Sequence, residues 1–315
     1  MNKKFKNDIN EGLSKLSKTL PSKYFYDKIG DALFVKIMNL PEYYLTKAEF
    51  DIFKNQTKNI ISSLDIKPNT YFELIELGAG DGTKTKELLK VLLLENFQFE
   101  YLPVDISQNA LDNLEANLNK ELPKLKVTKK QGDYFSVLDS LKTSKHPKVV
   151  LFLGSNIGNM EDEKASRFIT NLSNSLNTKG KILLGVDLIK AQDIVLPAYN
   201  DKAGVTKAFN LNLLHRINRE LDANFSIKDF SHQPEYSEKE GIARSYIVSN
   251  IDQDVSIGAL NKVFHFKKDE KIYTEISRKY NDLVLNEILK NSELKIVTKL
   301  LDAKGYFADY ILIKT

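Results

Sequence analysis

The stretch IELGAGDGTKT, residues 75–85, sets Gly78, Gly80 and Gly82 in alternation directly after an apolar run. Glycine tolerates positive φ and has no Cβ, so such a turn lets backbone N–H groups approach a ligand above the end of a strand. An ordinary tight turn explains one glycine easily and three in alternation poorly, which points to a bound group. Asp105 stands where a second strand, YLPVDIS, would end. A carboxylate there can accept hydrogen bonds from both hydroxyls of a ribose, although a loop or helix-capping Asp has the same appearance. In GDYF, Asp133 and Tyr134 close a third strand candidate, where they suit an adenine amino group and ring, or else form a Gly–Asp turn beside a core aromatic. Three such matches in order describe a site for a nucleoside-bearing cofactor.

These residues need a sheet to hold them, and hydrophobic periodicity supplies one. YFELIELG, FEYLPVDIS, LKVTKKQGD, KVVLFLGS and GKILLGVDLI read as strands, separated by the helical stretches TKTKELLKVLLLEN, NALDNLEANLNKEL and DEKASRFITNLSNSL. Strands alternating with helices of about 10–15 residues predict an α/β fold with a parallel sheet covered on both faces. Residues 5–63 read as mostly helical, with a Pro-marked break at LPEYYLT and a new helix near Lys47. Beyond Lys190 the alternation lapses. AYNDKAGVTKAFNLNLLHRINREL is helical, ARSYIVSN and VFHFKKDEKIYTEIS read as antiparallel strands, and YNDLVLNEILKNS is helical. The chain then closes on a strand, a Gly-centred turn and a strand, LKIVTKLLDAKGYFADYILIKT. A terminal hairpin that rejoins the first sheet makes the middle an insertion. The predicted organisation is therefore interleaved, with 54–190 and 280–315 in one domain and 1–53 and 191–279 in the other.

Composition narrows the chemistry. The chain has 315 residues and no Cys, which excludes disulfides, thiolate nucleophiles and cysteine-held metals. His146, His215, His232 and His265 show no ligand spacing, so no metal is expected. The net charge of +4 is a balance of 46 basic against 42 acidic residues, dispersed and with only five Arg, unlike the concentrated stripe of a nucleic-acid binder. No apolar stretch reaches the roughly eighteen residues of a membrane span, and MNKKFKNDIN lacks an apolar signal core. The expectation is a cytoplasmic monomer that meets a small molecule, with no nucleic-acid or membrane partner.

The spacing G-x-G-x-G, with Glu76 just before it, departs from the dinucleotide fingerprint and resembles the first motif of S-adenosylmethionine-dependent methyltransferases. No Asn/Asp-Pro-Pro-aromatic motif succeeds the fourth strand, and the covalent cysteine route to pyrimidine C5 is closed. That strand runs instead into LFLGSNIGNM, residues 151–160. With KYFYDKIGDALFVKIMNLPEYYLTKAE, ELGAGDGTKT, LLGVDLIK, AYNDKAGVTKAFNLNLLHRINREL and YTEISRKY, it makes nearly the whole chain resemble the histidine Nα-methyltransferases and their uncharacterised relatives. Those enzymes form the trimethylated betaine of histidine on the way to ergothioneine.

The resemblance implies a Rossmann-like class I methyltransferase sheet, an interleaved substrate-binding α+β domain, and S-adenosylmethionine as cofactor. It implies a cofactor site of Gly78, Gly80, Lys84, Asp105, Asp133, Tyr134, Gly154 and Ser155. It implies that Tyr43, Asn159 and Tyr199 hold the amino acid carboxylate, with Tyr26 near the amine, and that Glu275 and Ser277 bind the imidazole. Tyr26 and Tyr43 are the catalytic candidates, as acceptors of the protons that the amine sheds between methyl transfers.

Physics supports one part independently. In IYTEISRKY the side chains of Tyr273, Glu275 and Ser277 share one strand face, about 7 Å apart per two-residue step, so both polar groups of the pair point the same way. They either clamp one ring or face solvent. The departure from the family pattern lies at Arg244, where histidine-specific members carry a Glu-Met motif and the Met lines the side-chain pocket. Arg244, taken as a substrate-site residue, either points away onto a nearby carboxylate or turns inward onto Glu275, since an unpaired buried guanidinium is too costly. The first placement keeps a histidine pocket and the second favours a different amino acid or small amine. A cofactor-binding protein without catalysis and a nucleic-acid methyltransferase are the further rivals.

Overall fold

The computed structural model describes residues 3–134, 136–137, 142 and 144–315; Phe135 of the GDYF stretch lies outside them. The chain forms two compact units, Leu45–Ile189 with Arg278–Thr315, and Met1–Tyr44 with Lys190–Ser277. The first junction falls at Tyr44/Leu45 rather than 53/54. The reason is local: helix α3, Leu45–Leu64, buries Leu45, Ala48, Ile52, Phe53, Ile60, Ile61 and Leu64, an apolar stripe at helical spacing that begins at its first residue.

The unit that starts with α3 is built on a seven-stranded sheet. Its strands are β1 (Phe72–Leu77), β2 (Phe99–Asp105), β3 (Lys130–Gln131), β4 (Lys148–Phe152), β5 (Lys181–Asp187), β11 (Leu294–Leu301) and β12 (Phe307–Lys314). They lie in the order β11-β12-β5-β4-β1-β2-β3. β1 runs parallel to both β2 and β4, β5 runs parallel to β4, and β12 is antiparallel to β5 and β11. The terminal hairpin thus does rejoin the first sheet.

Alternate residues face two cores. Ile75, Val150, Phe152, Ile182 and Leu184 pack with Phe168, Ile169 and Leu172 of α6 (Asp162–Asn174) and with Leu285 of α9 (Asp282–Leu289). On the other face, Leu74, Val149, Leu151 and Leu183 meet α3, Leu88, Leu89 and Leu92 of α4 (Thr85–Leu94), and Leu114 and Leu118 of α5 (Gln108–Glu121). The third strand is shorter than LKVTKKQGD predicts: two residues pair with β2, plus one bridge from Val127 to Tyr101. Its lysines belong to a sheet edge, where charge blocks further pairing.

In the other unit, β6 (Phe230–Ser237), β7 (Ile242–Ser249) and β10 (Lys271–Arg278) form a sheet in the order β10-β7-β6, and β8 (Gln253–Ile257) pairs with β9 (Lys262–Phe266) as a separate hairpin. Its helices are α1 (Lys3–Leu13), α2 (Lys28–Met38), α7 (Gln192–Tyr199) and α8 (Val205–Leu221). Phe25, Ile37, Phe209, Leu213, Leu214, Ile217, Ile247 and Ile272 share its core. Residues 198–221 are not one helix. Gly204 takes φ +72°, and the Asp201 carboxylate accepts the N–H groups of Val205 at 2.9 Å and Thr206 at 2.7 Å, so it starts α8 afresh. Among the described residues no helix is long and apolar enough to cross a membrane.

Candidate active site

The sheet order places a topological switch point at β1. The chain runs outward through β2 and β3, then returns to β4 on the opposite side of β1. Ligands of open α/β sheets bind above the carboxyl ends of the strands at this crevice. The turns after β1 and β4 are the ones the sequence marked. Gly78, Gly80, Gly82 and Gly154 all have positive φ, and Ser155 takes φ +57°.

At Gly78, φ +74°, a Cβ would lie 2.6 Å from Tyr134 Oη and 3.1 Å from Asn156 Nδ2. At Gly80 a Cβ would meet nothing within 4 Å, so this glycine leaves open space. The Gly80 N–H points to Asp105 Oδ2 at 3.3 Å, and Ser107 N–H donates to Oδ1 of the same carboxylate at 2.9 Å. Tyr134 packs edge-on against Phe152 at 5.3 Å, and burial together with the Asp105 charge pushes its phenol well above the usual range. It is therefore a neutral hydroxyl beside the glycine turn.

Lys84, at the start of α4, pairs with the buried Glu49 carboxylate, and its Nζ lies 3.6 Å from where a Gly154 Cβ would stand. The buried Ser155 Oγ accepts the Asp187 N–H at 3.0 Å. Asp133 is exposed and its carboxylate accepts the Ser136 N–H at 3.1 Å. Asn159 is exposed at the end of a 3₁₀ turn, Asn156–Asn159. Gly78, Gly80, Asp105, Tyr134, Lys84 and Gly154 are thus assembled around the carboxyl ends of β1, β2 and β4. Sequence reasoning missed Glu49 and Asn156. Gly185 in the interior of β5 was the available signal for Glu49, because a strand glycine marks a close approach.

Glu76, fully buried beneath this turn, accepts hydrogen bonds from Thr85 Oγ1 at 2.7 Å and from the Tyr101 hydroxyl. Burial raises its carboxyl to about 7 against those two hydrogen bonds. It ties β1, β2 and α4 together under the glycines.

In the other unit, the alternation expected along β10 holds. Ile272, Thr274 and Ile276 are buried on one face, while Tyr273 and Glu275 are half-buried on the other. Ser277 is buried and its Oγ accepts the Tyr199 hydroxyl at 2.7 Å. The Tyr246 and Tyr273 rings meet at 5.6 Å, so the face of β7 that carries Arg244 and Tyr246 is the face of β10 that carries Glu275. Arg244 Nη1 donates to Glu240 at 2.7 Å, within the β6–β7 hairpin. Tyr26 and Tyr43 both contact Phe34, with centroids at 5.6 and 6.4 Å. Tyr26 is 36% exposed.

The sequence matches the family of histidine-specific, S-adenosylmethionine-dependent methyltransferases over residues 5–314. The chain belongs to that family. It is 33% identical to a histidine Nα-methyltransferase of Mycolicibacterium smegmatis over 273 residues, 87% of this chain and 83% of that one. It is 32% identical to a histidine Nα-methyltransferase of Mycobacterium tuberculosis over 300 residues, 95% of this chain and 92% of that one. An ergothioneine biosynthesis protein of Schizosaccharomyces pombe is 30% identical over 94% of this chain, which spans 39% of that longer protein.

This family member is an S-adenosylmethionine-dependent methyltransferase with an α/β fold. The crevice fits the cofactor. Gly80 leaves room, the Asp105 carboxylate stands beside it at the end of β2, and the neutral Tyr134 lies next to Gly78. Asp105→Ala is expected to weaken S-adenosylhomocysteine binding by about 1.5–3 kcal/mol, the worth of a charge-assisted hydrogen-bond acceptor. Titration calorimetry measures it, and a change below about 0.5 kcal/mol would remove Asp105 from the site.

Proposed function

We propose that the enzyme methylates the α-amino group of L-histidine, giving its trimethylated betaine for ergothioneine biosynthesis. The observation that carries this reading is the polar face of β10. Glu275 and Ser277 stand two residues apart on one strand, and the Ser277 hydroxyl, a group able both to donate and to accept, accepts a hydrogen bond from Tyr199. A carboxylate that accepts and a hydroxyl that donates match the N–H and the bare nitrogen of a neutral imidazole. Tyr43, Asn159 and Tyr199 are the proposed partners of the substrate carboxylate, Tyr199 turning its hydroxyl proton from Ser277 to that carboxylate when substrate binds, and Tyr26 and Tyr43 are the proposed acceptors of protons shed by the amine.

The cofactor supplies a methyl group made electrophilic by positive sulfur. The residues of the chain orient the amine lone pair for in-line attack, a positioning effect. Each transfer leaves a cationic amine that loses a proton before the next round, for which a tyrosine hydroxyl in contact with water suffices. Aromatic faces such as those of Tyr26 and Phe34 accommodate the growing cationic methyl groups. A panel of histidine, histamine, tryptophan, phenylalanine and glutamate with labelled S-adenosylmethionine tests the reading. Histidine should dominate, and equal turnover of histamine would exclude carboxylate recognition.

A different amino acid is the second reading, because Arg244 replaces the pocket Met of histidine-specific members. Its pairing with Glu240 favours the arrangement in which the histidine pocket survives. Arg244→Met should therefore change kcat/KM for histidine by less than about threefold, since a partly exposed ion pair is worth little. Negligible wild-type turnover, rescued by Arg244→Met, would show a re-aimed pocket instead.

A further inference from the structure

Glu49 lies fully buried in α3, and its carboxylate faces the turn after β4. The Gly154 N–H reaches Oε1 at 2.8 Å and Oε2 at 3.0 Å, and the Lys84 ammonium pairs with Oε2. A buried carboxylate persists only where charge and hydrogen bonds compensate its desolvation, and here both come from the cofactor crevice. The sheet has made room for it: a Cβ on Gly185, in the interior of β5, would overlap Glu49 Oε1.

Asp309 pairs in register with Gly185, is fully buried and has neither oxygen hydrogen-bonded. Burial and then the Glu49 charge push its carboxyl well above the usual carboxylate range. Burial draws the Lys84 ammonium downward, but the Glu49 charge and hydrogen bond override it and hold the cation.

The turn itself needs an anchor. Gly154 and Ser155 are consecutive left-handed residues, at φ +71° and +57°. A left-handed non-glycine residue is strained and survives where its surroundings over-determine it. The Asp187 N–H fixes Ser155 through its Oγ, and Glu49 fixes Gly154 through its N–H.

We infer that Glu49 is a positioning residue for cofactor binding, tying the Gly154 turn after β4 to the Lys84 cation at the start of α4. This rests on the reading that the cofactor occupies the crevice above β1 and β4. Glu49 acts through Gly154 and Lys84, which gives it a signature that a purely structural role lacks: its effect depends on Lys84.

Calorimetry with S-adenosylhomocysteine on the full chain tests it, using wild type, Glu49→Gln, Lys84→Met and the double variant. Each single change is expected to weaken binding about tenfold, as a charge-assisted contact is lost. The double variant should fall within about twofold of the weaker single one, because neighbours that share a partner do not add. KM for the amino acid at saturating cofactor should stay within about twofold of wild type. Glu49→Gln binding as tightly as wild type, or additive losses in the double variant, would overturn the inference.

A wild-type measurement stands whether or not the Glu49 variant folds. The Gly154 amide, followed by NMR hydrogen exchange, should be protected, and exchange at the rate of an exposed loop amide would overturn the inference equally. A wild-type chain that binds no S-adenosylhomocysteine would overturn the crevice reading itself and this inference with it.

Discussion

Glu275→Ala is expected to lower kcat/KM for histidine by about 10³-fold, some 4 kcal/mol of transition-state stabilisation, while the affinity for S-adenosylhomocysteine stays within about twofold. Glu275 offers a half-buried carboxylate on the face it shares with Ser277. A site built to hydrogen-bond a substrate N–H discriminates steeply, because removing one side leaves the other unpaired in a poorly solvated place. The half-burial of Glu275 puts the effect below the 10⁴–10⁵ reached by fully enclosed sites. Glu275→Gln keeps an acceptor oxygen but loses the charge, so it should fall between Ala and wild type. Steady-state kinetics over a histidine series decides it. Unchanged kcat/KM in the Ala variant would mean that this face of β10 looks at water.

The second large effect concerns stability. Lys279 pairs with Asp187 at 2.8 Å, and both side chains are wholly buried. Lys279→Met should destabilise the unit that contains the seven-stranded sheet by about 3–5 kcal/mol, since it strands a carboxylate out of water. The double change Lys279→Met with Asp187→Leu should recover most of that loss, because an apolar pair of similar volume matches or exceeds a buried ion pair. Thermal melts of the three proteins measure both steps. A single variant that melts within about 2 °C of wild type would show that the pair is not shielded as the structure has it. Asp187 also donates its N–H to Ser155, so the pair lies one hydrogen bond from the turn after β4.

The sheet was legible because its strands are apolar on both faces and its helices amphipathic; Leu74 and Ile75, adjacent in sequence, serve opposite cores. The glycine turn was legible because only glycine tolerates those backbone angles at no cost. What escaped reading has a common cause, which is polarity that serves tertiary contacts. β6 reads FSHQPEYS, too polar and Pro-interrupted to announce a strand, and it pairs along its whole length with β7. Glu49 sits in a helix of mixed polarity and looks like a solvated residue until the fold buries it completely. Arg244 was undecidable from sequence because a nearby carboxylate and the distant Glu275 offer the same charge, and the hairpin geometry selects Glu240.

Incubating the enzyme with histidine and methyl-labelled S-adenosylmethionine, then locating the label by fragmentation mass spectrometry, tests the central claim most directly. The account predicts that all transferred methyl groups reside on the α-nitrogen, accumulating to the trimethylated product, with both ring nitrogens unmodified. Label on the imidazole, or no labelled histidine while another amine is methylated, would contradict it.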